Sequence, residues 1–215
     1  MITLTRPDLA IRLIQHRPKV VQSDPRQLRS HQERPSDPLS PVYFEFDKAS
    51  DPLVREVASM LAYLAMKRAG SYGAVVGVPH AANRFAAVIA KEQRVPQYFL
   101  DKVVEDGKRR ICARPGEPLP QCTALVVEDV LTTGGSSVAA IDALTRAGAT
   151  ATHVVAVIDR EQGGRTALAS RGISCLAIWR MRELLDFWSA AHLINPDWHC
   201  RILAYLDQFL AGQTN

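Results

Sequence analysis

The sequence predicts an α/β fold with a mostly parallel central sheet and helices on both faces. The first observation is a glycine- and hydroxyl-rich turn, Thr132–Ser137, that separates an apolar run from an amphipathic one. The second is the regular alternation of strand-like and helix-like segments, which implies strands joined by helical crossovers. These segments lie at 124–128, 136–147, 153–158, 165–171 and 174–178.

Length and composition limit the class of protein. The chain has 215 residues, of which 47% are hydrophobic and 22% charged, as in a soluble globular protein with a full core. A net charge of +4 is too small to indicate nucleic-acid binding, although it suits an anionic ligand. We expect no membrane span, because the longest apolar runs are too short. The four cysteines lack metal-type spacing, so reduced thiols and a cytoplasmic location are expected.

Residues 1–50 are predicted to precede the core as a separate segment. A short amphipathic helix is expected over 4–14, followed by a polar loop over 17–41 that is rich in proline and arginine. The pattern at 41–46 predicts a strand, in which Tyr43 and Phe44 point to opposite sides. One of these aromatic rings can then face a ligand, although ordinary packing of both explains the pattern equally well.

The core is predicted over 51–180 and a helical extension over 181–215. The core begins with a helix at 51–69 and a buried strand at 74–78. A charged loop is expected at 101–109, between two short strands, where it suits a lid over a polyphosphate. The last helix has an apolar face that must pack against the domain or against a second subunit.

The stretch from Val126 to Ser137 carries the strongest functional signal. A buried strand ends in Glu128 and Asp129, and the Thr132–Ser137 turn then opens a helix. Backbone N–H groups at such a helix N-terminus attract phosphate. Carboxylates beside a phosphate suit sugar hydroxyls or magnesium, so a phosphorylated sugar with Mg²⁺ is predicted. The alternative is an ordinary turn in which glycine is structural and no ligand binds.

This stretch resembles the diphosphoribosyl-binding signature of the type I phosphoribosyltransferases. A second motif, Ile158–Gly164, is similar to the segment after the next core strand in the orotate phosphoribosyltransferases. More loosely, the resemblance extends from Ser40 to Asp186. It implies a type I phosphoribosyltransferase fold with a small N-terminal hood and extra C-terminal helices. It also implies transfer of phosphoribosyl from 5-phospho-α-D-ribosyl 1-diphosphate (PRPP) to a base, with orotate as first candidate, in pyrimidine biosynthesis.

The resemblance assigns roles to individual residues. It makes Asp129, Glu128 and Lys102 catalytic and assigns no side chain as a metal ligand. Mg²⁺ is expected to arrive with PRPP, close to Asp129, and a homodimer is expected. The binding residues are Thr132, Thr133, Gly134, Gly135 and Ser136 for the 5′-phosphate, Pro79, His80, Ala81 and Asn83 for pyrophosphate, and Phe44 and Arg160 for the base.

The lid departs from the family pattern. Where the relatives have basic residues, this chain has Asp101 and Glu105 and keeps only Lys102. Loss of one donor to developing charge commonly costs ~10²–10³ in rate. The lid is therefore predicted to be a poor catalyst unless residues 108–110 (Lys-Arg-Arg) replace the missing charges.

The base site departs as well. The family places a lysine-containing segment before the Ser40 strand, and this chain has Glu33-Arg34-Pro35 there. Two alternatives to an orotate enzyme follow from these departures. One is a non-catalytic PRPP- or nucleotide-binding regulator, and the other is a phosphoribosyltransferase that acts on a different base.

Overall fold

The computed structural model describes residues 5–15, 39–105, 108–117, 119 and 121–211. Most of the predicted loop over 17–41, including its Glu33-Arg34-Pro35 segment, therefore lies outside the described residues. The helices and strands are, in chain order, α1 (Pro7–Gln15), a 3-10 helix (Phe46–Lys48), α2 (Asp51–Arg68), β1 (Ala74–Gly77), α3 (Ala82–Gln93), β2 (Gln97–Tyr98), β3 (Leu100–Glu105), β4 (Lys108–Ala113), β5 (Thr123–Leu131), α4 (Gly135–Arg146), β6 (Thr150–Asp159), α5 (Gly164–Ala169), β7 (Ser174–Arg180), α6 (Met181–Ala190) and α7 (Pro196–Ala211).

The central sheet is five-stranded, with every neighbouring pair parallel, in the order β2-β1-β5-β6-β7. β1 pairs with β5 from Ala74 opposite Ala124 to Gly77 opposite Val127. The order of winding reverses between these two strands. At such a reversal the loops leave in opposite directions and open a crevice at the carboxyl ends of the strands. The predicted fold class is confirmed.

Two groups of helices cover the sheet. Helices α2 and α3 pack against each other, with α2 over β6 and β7 and α3 over β1. Helix α4 packs over β5, β6 and the strand β4, and it also contacts α5. All four residues of β1 are buried, which explains why this strand reads as one continuous apolar run rather than an alternating one.

The segment at 41–46 is not a strand, although its side chains alternate as predicted. Val42, Phe44 and Phe46 are buried, whereas Tyr43 is 38% exposed. The Ser40 hydroxyl donates a hydrogen bond to the Val42 carbonyl and accepts one from the Val42 N–H, at 2.6 and 3.2 Å. Such local bonds compete with a sheet ladder. The backbone is therefore extended without a pairing strand until the 3-10 helix begins.

The predicted charged loop at 101–109 is instead a hairpin. β3 and β4 pair antiparallel from Leu100 opposite Ala113 to Glu105 opposite Lys108. Two of the charges that suggested a loop pair between the strands, since Glu105 of β3 and Arg110 of β4 form an ion pair at 3.2 Å. Opposite charges on facing strands stabilise a hairpin as much as they favour solvent exposure.

The C-terminal helices pack against their own domain, which decides between the two predicted alternatives. Trp198, Ile202 and Leu206 of α7 are all buried within the single chain. The indole of Trp188 in α6 donates a hydrogen bond to the Ala10 carbonyl at 2.9 Å, so α6 also holds α1 in place. Among the described helices, none is long and apolar enough to cross a bilayer.

Candidate active site

A cavity of about 280 Å³ lies at the carboxyl ends of β1 and β5, where the winding reverses. Its walls come from the segment before α2, the turn after β1, and the end of β5 with its following turn. Lys102 of β3 and Arg160 after β6 complete the lining. The five segments are far apart in sequence, and the sheet order is what brings them together.

Most of the predicted site residues line this cavity. Those that do are Phe44, Pro79, His80, Ala81, Lys102, Glu128, Asp129, Thr132, Gly134, Ser136 and Arg160. Thr133, Gly135 and Asn83 do not. A Cβ added to Gly77 would lie 2.6 Å from Asn83 Oδ1, which places the Asn83 side chain against the strand β1. That oxygen is buried without a hydrogen-bond partner, and the Asn83 side chain packs against β1 without lining the cavity.

Two helices begin at the cavity with uncapped N-termini. Gly134 is the N-cap of α4, with φ of 85°, and Ala81 is the N-cap of α3; neither helix receives a side-chain cap. The Pro79–His80 peptide bond before α3 is cis. Unsatisfied N–H groups and the positive end of a helix dipole bind anions. The cavity therefore suits a ligand that carries two separate phosphate groups.

The turn after β5 is held against the start of α5. The Gly164 N–H donates to the Thr132 carbonyl at 2.9 Å, and the Arg160 N–H donates to the Leu131 carbonyl at 2.8 Å. A Cβ at Gly164 would lie 2.5 Å from the Thr132 oxygen, and a Cβ at Gly134 would lie 3.1 Å from the Gly164 Cα. The sequence shows the glycines, but this contact between distant turns was not predicted from it.

The two carboxylates lie inside β5 rather than after it, because the strand continues to Leu131. Glu128 is 5% exposed and Asp129 is half-buried. Burial and then the charge of Asp129 raise the pKa of Glu128 well above its ordinary value. The Ser137 hydroxyl donates to Glu128 Oε2 at 2.7 Å and partly opposes that shift. Ser137 was predicted to belong to the phosphate turn, and instead it is buried and orients the acid.

Lys102 is the basic residue of the hairpin that reaches the cavity, and its Nζ contacts the Pro79 carbonyl oxygen. Alternation along β3 places Asp101 and Glu105 on the opposite face of the strand. Asp101 accepts hydrogen bonds from Arg114, which lowers its pKa, and Glu105 pairs with Arg110. The two acidic replacements are therefore paired with arginines. The sequence alone did not show this pairing.

At the other end of the cavity, Phe44 and Arg160 lie where a base was expected. Phe44 is buried and its ring stacks 6.0 Å from that of Phe46. Arg160 is 2% exposed, and burial lowers its pKa. Its Nη2 donates to the Ser40 hydroxyl at 2.8 Å, while its Nε is buried without a partner. Ser40 and Tyr205, which both contact Arg160, were not predicted as site residues.

The donor set fits a magnesium ion that a ligand brings with it. Within the described part of the chain, no group of three or more His, Cys, Asp and Glu side chains can hold a metal. Glu128 and Asp129 supply oxygen atoms at the cavity, of the kind that Mg²⁺ prefers. Mg²⁺ usually takes one or two carboxylates and completes its shell with water and substrate phosphates, which matches this pair.

A doubly wound sheet with an acidic pair and two uncapped helix N-termini at its crevice is typical of proteins that bind phosphorylated ligands. Residues 48–180 match the model of the phosphoribosyl transferase domain, and the chain belongs to that family.

Similar proteins agree with this assignment. The chain is 33% identical over 143 residues to an orotate phosphoribosyltransferase of a Bradyrhizobium strain, matching 63% of this chain and 77% of that protein. It is 28% identical over 181 residues to the uridine 5'-monophosphate synthase of Bos taurus, matching 82% of this chain but only 37% of the synthase. The solved UMP synthase of Leishmania donovani has the same fold, with a TM-score of 0.75, 23% identity, and 94% and 42% of the two chains covered.

Gly164→Ala is expected to weaken binding of PRPP by roughly tenfold, because the new Cβ forces the Thr132 backbone to move. Calorimetric titration with PRPP and Mg²⁺ measures the change. Gly73→Ala is the matched control: its Cβ would meet Cys122 at 3.1 Å, at the amino end of β1 and away from the cavity. Equal affinities in the two variants would contradict the proposed role of the Gly164 contact.

Glu128→Gln is expected to stabilise the ligand-free protein near neutral pH. The raised pKa means that the folded state binds this proton more tightly than the unfolded state, so the free energy of unfolding falls as the pH rises above about 4.5. The variant should be more stable than the native protein by about 1 kcal/mol at pH 7 and should show no advantage below pH 4. Urea unfolding across this range measures the difference, with Glu92→Gln as the exposed control. A stability gain that is independent of pH would contradict the assignment.

Proposed function

We propose that the chain is a PRPP-dependent phosphoribosyltransferase that transfers phosphoribosyl to orotate and releases pyrophosphate. The observation that carries the proposal is the meeting of the uncapped N-termini of α3 and α4 with Glu128 and Asp129 in one cavity. The family assignment supports it. The chain matches only 37% of the length of the bovine synthase.

The cavity can position each part of PRPP. The turn at the N-terminus of α4 binds the 5′-phosphate, and Asp129 and Glu128 accept hydrogen bonds from the ribose hydroxyls. The turn after β1 and Lys102 bind the pyrophosphate group. As the C1′–oxygen bond breaks, positive charge develops on the ribose, and the Asp129 carboxylate stabilises it. Catalysis is then mainly positioning and electrostatics. Asp129 would hold a Mg²⁺ ion that arrives with PRPP, and the ion would supply Lewis-acid assistance to the departure of pyrophosphate.

The acceptor end of the cavity favours an anionic base. Arg160 is buried there, and none of the described carboxylates pairs with it. An unpaired buried guanidinium is costly, and a ligand carboxylate relieves that cost with a bidentate contact. Orotate carries such a carboxylate, whereas the neutral bases do not. This supports orotate over a different base.

The second candidate is a non-catalytic PRPP- or nucleotide-binding regulator. In its favour, Lys102 is the one basic residue among the described residues of the hairpin that lines the cavity, whereas the family's lid carries several. Two further properties of the chain are proposed. The hairpin carries Val104, which is 69% exposed, and this suits a contact with a second copy in a homodimer. The four cysteines are unpaired, in keeping with the reducing cytoplasm.

The proposed function is tested with two measurements on the purified protein. Calorimetry measures PRPP binding with Mg²⁺, and a pyrophosphate-release assay then compares orotate with uracil, adenine and hypoxanthine. Binding with turnover on orotate is the expected result. Turnover on another base alone would reassign the acceptor, and binding without turnover would favour the regulator. An absence of PRPP binding would overturn the assignment of the α4 turn.

Lys102→Met is expected to lower kcat by ~10²–10³ while the affinity for PRPP falls much less. The ammonium group donates to charge that grows on the departing pyrophosphate, so it contributes mainly to the transition state. Steady-state kinetics with saturating orotate separates the two effects. Lys91→Met, on the exposed side of α3, is the control for loss of a positive charge. A kcat within twofold of the native value would show that another group neutralises the pyrophosphate.

A further inference from the structure

The C-terminal helix α7 reaches the acceptor end of the cavity indirectly, through one side chain. Tyr205 is 4% exposed, and the carbon at the centre of the Arg160 guanidinium lies 5.7 Å from the centre of its ring. Arg160 lines the cavity, whereas Tyr205 does not. Tyr205 is therefore placed behind the arginine, on the side away from a ligand.

Few groups hold the Arg160 side chain. A guanidinium has five N–H donors, and here Nη2 donates to the Ser40 hydroxyl while Nε is buried without a partner. Tyr205 also stabilises the charge, because its ring makes a cation–π contact and its hydroxyl opposes the lowering of the Arg160 pKa by burial. Such contacts are strongest when both groups are shielded from water, as they are at this position.

Tyr205 is itself fixed on two sides. Its hydroxyl accepts a hydrogen bond from Gln162 Nε2 at 2.9 Å, and its ring meets the edge of Phe209 with the centroids 5.2 Å apart. Gln162 is also buried, and it lies two residues after Arg160 in the loop that follows β6. The ring and the hydroxyl of Tyr205 therefore bind two residues of the same loop.

The loop after β6 is also attached to α6 and α7 through backbone and surface contacts. Glu161 Oε2 accepts a hydrogen bond from the Arg182 N–H at 3.0 Å. The Arg182 guanidinium in turn pairs with Asp207 of α7 at 2.7 Å. These contacts attach α7 to the loop, and Tyr205 of α7 packs against Arg160 of that loop.

We propose that Tyr205 is a positioning residue that holds the Arg160 guanidinium toward the cavity, so that helix α7 determines the affinity for the carboxylate of the acceptor. This inference rests on the proposed function, because it takes an anionic acceptor as the ligand of Arg160. It gives the C-terminal extension a role in acceptor specificity that the phosphate-binding turns do not share.

Three variants separate this role from general stability. Tyr205→Leu removes the ring, Tyr205→Phe keeps the ring and removes only the hydroxyl, and Ile202→Val trims a buried side chain elsewhere on α7. The KM for orotate is expected to rise roughly tenfold in Tyr205→Leu and less than threefold in Tyr205→Phe. The kcat and the calorimetric Kd for PRPP should stay within twofold of native in all three. Equal increases in the KM for orotate and the Kd for PRPP would overturn the proposal.

A second readout needs no substrate. The Nε–H signal of Arg160 is followed by NMR on protein labelled with ¹⁵N-arginine and is assigned by its loss in Arg160→Lys. Its exchange with solvent should accelerate at least tenfold in Tyr205→Leu and remain native-like in Ile202→Val. Unchanged exchange in Tyr205→Leu would overturn the positioning role. Native protein that binds PRPP without turning over orotate would instead contradict the proposed function, and the exchange measurement would still decide the role of Tyr205.

Discussion

The parallel pairing of β1 with β5 determines where every group of the site can lie. Because the winding reverses between these strands, the turns that leave them diverge and open a cavity that neither turn could form alone. The pairing also aligns the starts of α3 and α4, so that two helix dipoles act on one space. The carboxylates of β5 line the same cavity. The strand order therefore determines where the site lies, and the side chains determine which groups line it.

Without a ligand, the charged groups of the cavity are not fully neutralised by other groups of the protein. Glu128 and Asp129 lie side by side, and burial raises the pKa of Glu128. Arg160 is buried a short distance away along the cavity wall, with no described carboxylate to neutralise it. A ligand with sugar hydroxyls, phosphates and a carboxylate would satisfy all of these groups together. The free protein therefore gives up stability in exchange for groups already arranged for binding.

The charge pattern at 101–109 led to the prediction of a loop, and strand pairing shows a hairpin there instead. From the sequence, the run with Asp101 and Glu105 was expected to be a charged loop that keeps only Lys102 of the family's basic residues. In the structure each acid faces an arginine, and Lys102 points the other way, to the cavity. The prediction that this lid catalyses poorly stays a prediction, because Asp101 is paired with Arg114 and yet still interacts electrostatically with His80 of the cavity.

The sequence by itself determined the fold class and the phosphate turn, because those signals are local, and its resemblance to the phosphoribosyltransferases supplied most of the other predicted residues that line the cavity. Apolar periodicity, glycine placement and adjacent carboxylates are each read within a dozen residues. Only the tertiary structure decided that Gly164 supports the Thr132 turn and that Ser137 orients Glu128. It alone also placed Tyr205 behind Arg160. Contacts of this kind join segments tens of residues apart or depend on how far a strand extends, and no local pattern encodes which distant side chain will fill a given space.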